Sequence, residues 1–218
     1  MGMALAKPGF RLLLVGFFLS FGVFHALPSS AGDLTEIRIE QSAVEGAGTF
    51  PGWVQKAPFQ KRQVVALELG DDPYGAILEL KAKPGAYRVS VQFETSLAIG
   101  NEGPHIDLLD WKHCTSAWKV LQGQKGRFVL PKPNDAESSC FPPSTAAEIK
   151  IAVRSALRGY GMAGADARHW LELADSVDGP GDQPSYIGVS KVRVRIEKRT
   201  RHAWEEVTTV EFMPPLGC

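Results

Sequence analysis

Residues 105–114 read His-Ile-Asp-Leu-Leu-Asp-Trp-Lys-His-Cys, and Trp118 follows shortly after. This is the densest mixture of polar and aromatic side chains in the chain. Such residues suit the recognition of a polyhydroxylated ligand. An indole face packs against the apolar side of a sugar ring, while carboxylates and imidazoles bond its hydroxyls. Trp111 and Trp118, with Asp107, Asp110 and His113, are therefore the candidate ligand-binding residues. If the segment is extended, Asp107, Leu109, Trp111 and His113 share one face, and Ile106, Leu108, Asp110 and Lys112 the other. The competing structural reading puts both tryptophans between two sheets, beside a disulfide.

Other chemistries find less support. His105, Asp107, His113 and Cys114 match no structural zinc spacing, so no metal is expected. Asp175, Asp178 and Asp182 lie in a stretch rich in Gly and Pro. They offer oxygens for a structural calcium ion, but without the spacing of an EF-hand, and no cofactor is expected. There is no Gly-x-Ser-x-Gly, no phosphate loop and no dinucleotide fingerprint. No catalytic residue is assigned. A hydrolase using two carboxylates remote in sequence stays open as a lesser alternative.

Strands must carry these side chains, and alternation dominates the sequence. Residues 36–40, 63–69, 76–82, 87–94, 127–130, 147–155, 168–174, 187–198 and 204–212 all read as strands. In the clearest of them, Tyr87, Val89, Val91 and Phe93 point one way, and Arg88, Ser90, Gln92 and Glu94 the other. Segment 105–121 adds one or two more. Residues 70–73, 83–85 and 123–126 read as turns, and 99–104, 131–144 and 177–184 as loops. The one helical candidate, 163–173, reads better as loop plus strand. The fold class predicted is all-β: a two-sheet antiparallel β-sandwich (jelly roll) of about nine or ten strands.

The N-terminus has its own grammar. Lys7 and Arg11 precede an apolar run at 12–24, and Ser29 and Ala31 stand where signal peptidase expects small residues. Thirteen helical residues span about 20 Å, short of a bilayer core of roughly 30 Å. The expected organisation is a signal peptide at 1–31 and a single β-sandwich domain at 32–218. The alternative is an uncleaved anchor over 10–27. Cleavage leaves no integral membrane span and implies a periplasmic or secreted protein. The whole chain is neutral, with 24 basic and 24 acidic residues; cleavage removes only Lys7 and Arg11 and leaves a net charge of −2. Neither value favours nucleic acid as a partner. An oxidising compartment favours a Cys114–Cys140 disulfide. Closing that loop of about 27 residues is worth ~3.5 kcal/mol of chain entropy. Cys218 is left as a free thiol or an intermolecular partner.

Three segments together resemble a galactose-binding-like jelly roll, the fold of many carbohydrate-binding modules. They are 64–80, a strand, a Gly-Asp-Asp-Pro turn and a second strand; Pro84-Gly85-Ala86-Tyr87 with the alternating strand it opens; and 186–196, a closing valine-rich strand preceded by glycine. The resemblance implies sugar recognition at loop tips or on a concave sheet face. The expected function is thus an exported, non-catalytic protein that binds a carbohydrate or cell-envelope glycan. The alternative is a protein-binding module, such as an immunity protein, an enzyme inhibitor or an envelope assembly factor. The basic run Lys191, Arg193, Arg195, Lys198, Arg199 and Arg201 is either a patch for an acidic partner or a charged strand face.

Overall fold

The computed structural model describes residues 34–41, 50–83, 85–100 and 104–216. The expected signal peptide and Cys218 lie outside the described residues. Most alternating runs form strands. β1 (Glu36–Glu40), β2 (Trp53–Lys56), β4 (Ile77–Lys81), β9 (Gly123–Gln124) and β10 (Arg127–Val129) make a five-stranded sheet ordered β2-β1-β4-β10-β9. β3 (Arg62–Ala66), β12 (Trp204–Met213), β11 (Ser185–Arg199) and β5 (Tyr87–Gly100) lie side by side, in that order, in a longer sheet. Beyond β5, the edge of that sheet is built from β6 (His105–Asp107), β7 (His113–Thr115) and β8 (Lys119–Val120).

The two sheets pack as a sandwich. Ile37, Ile39, Leu78, Leu80 and Phe128 meet Val89, Val91, Phe93, Val192, Val194, Ile196, Val210 and Phe212, all buried. Each such side chain taken from water contributes ~1.5–3 kcal/mol, so this layer is the main stabilising feature. In β11 the register against β5 shifts between Val189 and Lys191, leaving Ser190 unpaired as a bulge. Without that extra residue, one face could not hold both Ile187 and Val192.

Three expectations are corrected. The fold is not free of helices: α1 (Asp135–Ser138), α2 (Ala146–Gly159) and α3 (Gly164–Asp175) occupy stretches read as loop or strand. In α2 the buried residues Ile149, Ala152, Val153 and Leu157 follow a helical period. Ile151, which made 149–153 look like alternation, is 62% exposed. Thr145 caps this helix in a capping box with Glu148, each side chain bonded to the other's backbone N–H. The second correction concerns pairing: β3 runs parallel to β12, so the sheets are not wholly antiparallel. Third, segment 105–121, read as one or two strands, holds three short ones, β6, β7 and β8, with a loop between β6 and β7 that breaks the two-face pattern an extended 105–114 would have had.

The helices complete the long sheet. β5 and β11 extend beyond the small sheet, and Leu97, Ile99 and Ile187 on the same inner face pack with Ile149, Val153, Leu157 and Trp170 from α2 and α3. The expected Cys114–Cys140 disulfide is formed, with Cα atoms 5.7 Å apart. It fastens the segment leading to α2 onto the sheet edge, where the Thr95 hydroxyl also donates to the Cys140 carbonyl at 2.5 Å. Among the described residues, no helix is long and apolar enough to cross a membrane.

Candidate functional site

The loop between β6 and β7 arises from a mismatch in length. Asp107 pairs with Ala98 and His113 with Ser96, so residues 108–112 bridge a gap of one residue, Leu97, on β5. The surplus must leave the sheet plane. Leu108 returns to the interior, its N–H bonded to the Leu97 carbonyl at 2.9 Å, and a turn follows in which Trp111 N–H bonds the Leu108 carbonyl at 3.2 Å. Asp110 and Trp111 are carried out opposite α2.

A cleft of about 360 Å³ lies between this loop and the C-terminal half of α2, at the small end of the size range for small-molecule sites. Asp107, Asp110, Trp111, Tyr160 and Lys191 line it, and Ala152, Ala156 and Gly159 keep the helix wall low. Trp111 is half-buried, its ring centroid 6.0 Å from that of Phe141. Lys112 ties the loop down through Glu148, at 2.8 Å, and the Pro143 carbonyl, at 3.3 Å. Its ammonium also lies 5.3 Å from the Trp111 ring centroid. The bond from Lys112, with those from the Thr145 N–H and hydroxyl, lowers the Glu148 carboxyl from 4.5 to about 2.

Asp107 is held differently. Its Oδ1 is buried and makes no hydrogen bond, although His105 Nε2 stands 3.3 Å away. Burial raises its pKa, and the neighbouring His105 only partly offsets this. The Tyr160 hydroxyl donates to the Asp107 carbonyl at 3.2 Å. Burial, then the charges of Asp107 and Asp110, raise the Tyr160 phenol above its usual value. The cleft thus offers two carboxylates, one with a buried oxygen that makes no hydrogen bond, a phenol and an indole. That set can accept bonds from hydroxyl groups and stack on an apolar ring face.

The other sequence-identified residues lie elsewhere. His113 is exposed on β7, with Nδ1 3.4 Å from the Trp111 carbonyl. Trp118 sits on the outer face of the long sheet with the Arg195 guanidinium 4.3 Å from its ring centroid. That face also accounts for much of the basic run. Glu94, 3% exposed, accepts from Lys191 and Arg193, both at 2.5 Å. Arg193 continues to Glu211, and Arg195 lies 3.6 Å from Glu197. Burial pushes Glu94 up, but these two cations more than offset it and hold its carboxyl below the usual range. Asp175 ion-pairs with Lys150. Among the described residues, no three His, Cys, Asp or Glu side chains gather where they could hold a metal. Tyr160 escaped the sequence reading; the Thr145-x-x-Glu148 signature would have started a helix whose end delivers it.

No protein-family profile, curated protein or solved structure matches the chain.

Proposed function

We propose that the chain is an exported, non-catalytic binding protein. Its sandwich is read as a helix-bearing variant of the jelly roll, and its ligand as a carbohydrate or cell-envelope glycan held between the β6–β7 loop and α2. One observation carries the reading: Asp107, Asp110 and Trp111 line one cleft with Tyr160. Export rests on the charged, apolar and small-residue order of positions 1–31. Within the site, the Trp111 ring provides the stacking surface and the carboxylates accept from sugar hydroxyls.

Titration calorimetry against neutral oligosaccharides and envelope glycan fragments tests this. One or more glycans are expected to bind, with Trp111→Ala weakening the affinity at least about tenfold, or 1.4 kcal/mol. Trp118→Ala should bind like the wild type. A panel without any ligand, coupled with stoichiometric capture of a protein from the native envelope, would replace this reading with a protein-binding one.

A further inference from the structure

A second cavity lies at the other end of β5 and has the opposite electrostatic character. It holds about 350 Å³ and is lined by Lys83, Tyr87, Arg88, Lys125, Phe128 and Trp204, with no carboxylate in its wall. Arg88 is already matched: its Nε and Nη2 donate to Glu197 at 2.8 and 2.7 Å. In that position its guanidinium lies 4.8 Å from the Trp204 ring centroid. Lys83 and Lys125 make no ion pair among the described residues, as is also true of Lys56, Lys61 and Lys132, but these two share one cavity wall.

The backbone under Lys125 bears on the same point. Arg127 pairs with Gln124, so Lys125 and Gly126 form the two-residue tip of the β9–β10 hairpin, with φ of 52° and 80°. Both central residues of such a turn need positive φ, which Asn, Asp and Gly supply most readily. At Gly126 glycine is required, since a Cβ would lie 2.9 Å from the Leu80 carbonyl oxygen. Lys125 is the only non-glycine residue with positive φ among the described residues. A lysine there adopts a backbone conformation that L residues rarely take, without an ion pair among the described residues to offset it, and strain of that kind gathers at ligand clamps. Two unmatched ammonium groups beside flat aromatic walls select a ligand with an anionic group and an apolar face.

From this we infer a second binding site, at the β9–β10 hairpin tip, for an acidic sugar bearing a carboxylate or a phosphate. It is independent of the cleft beside α2. The test is titration of the full domain with glucuronate, a hexose phosphate, inorganic phosphate and neutral glucose, followed by tryptophan fluorescence and backbone amide shifts. One or both acidic sugars should bind at least tenfold more tightly than glucose, shift the amides of 123–128 and weaken with added salt; which of them binds identifies the anion. Lys125→Gly should lower that affinity at least fivefold while leaving the melting temperature unchanged or higher, because glycine relieves the turn. Lys83→Gln, remote from the turn, should weaken binding similarly. Acidic sugars binding no better than glucose, inorganic phosphate binding as tightly as either, or Lys125→Gly binding like the wild type would each overturn the site.

Discussion

Asp107 keeps a carboxylate oxygen away from water with no hydrogen bond made to it, the His105 Nε2 standing 3.3 Å away, an arrangement that lowers stability at neutral pH and suits a site awaiting a ligand hydroxyl. The sign follows from linkage. Its folded pKa is raised, so its contribution is most favourable when protonated and declines as pH rises through that value. Asp107→Asn should therefore make the free protein more stable at pH 7. The difference should vanish below its ordinary pKa of 3.8. Urea unfolding of both proteins across pH measures it. An Asn variant less stable than the wild type at pH 7 would mean that the carboxylate is satisfied. At this scale the sequence was informative about residue type, since the 105–111 stretch contributes three of the cleft's polar and aromatic groups. It was uninformative about facing, because alternation fails where five residues leave the sheet.

The element that closes the cleft depends on its own first turn. Thr145 satisfies the Glu148 N–H at 3.3 Å while Glu148 reaches back to the Thr145 N–H at 2.8 Å. Thr145→Ala should cost about 1 kcal/mol and lower the melting temperature by roughly 2–4 °C, as followed by circular dichroism. An unchanged midpoint would show that tertiary packing alone holds α2. This helix was hidden by coincidence. Ile149 and Val153 lie four residues apart, which suits a helix face, and Ile151 between them completed a strand-like triplet. α3 was harder still: Ala163 provides no side-chain cap, and its buried positions reduce to Trp170 and Ala174. The strands of the sandwich were legible because their buried faces alternate cleanly, as at Val89, Val91 and Phe93. The parallel partnership of β3 with β12 was not. It joins residues about 150 apart, such as Arg62 and Thr209, and nothing local specifies such a pairing.

Across the whole molecule, one long sheet carries two different covers on its inner face: a five-stranded sheet over one end, and α2 with α3 over the other. The outer face is held by a ladder of buried glutamates and strand cations, which accounts for Lys191, Arg193 and Arg195 and directs the search for charged ligands to Lys83 and Lys125 instead. Part of the charge balance visible in the composition thus reappears as pairs within the fold, most densely on this face. The central claim concerns the edge of that sheet, where the β6–β7 loop faces α2. It is tested most directly by the indole Nε1–H signals of the five tryptophans in a ¹⁵N-labelled domain titrated with neutral envelope glycan fragments. The account predicts a saturable shift of the Trp111 signal, with Trp118 and Trp204 unmoved. Saturation by a glycan that leaves Trp111 in place and shifts another tryptophan would contradict it.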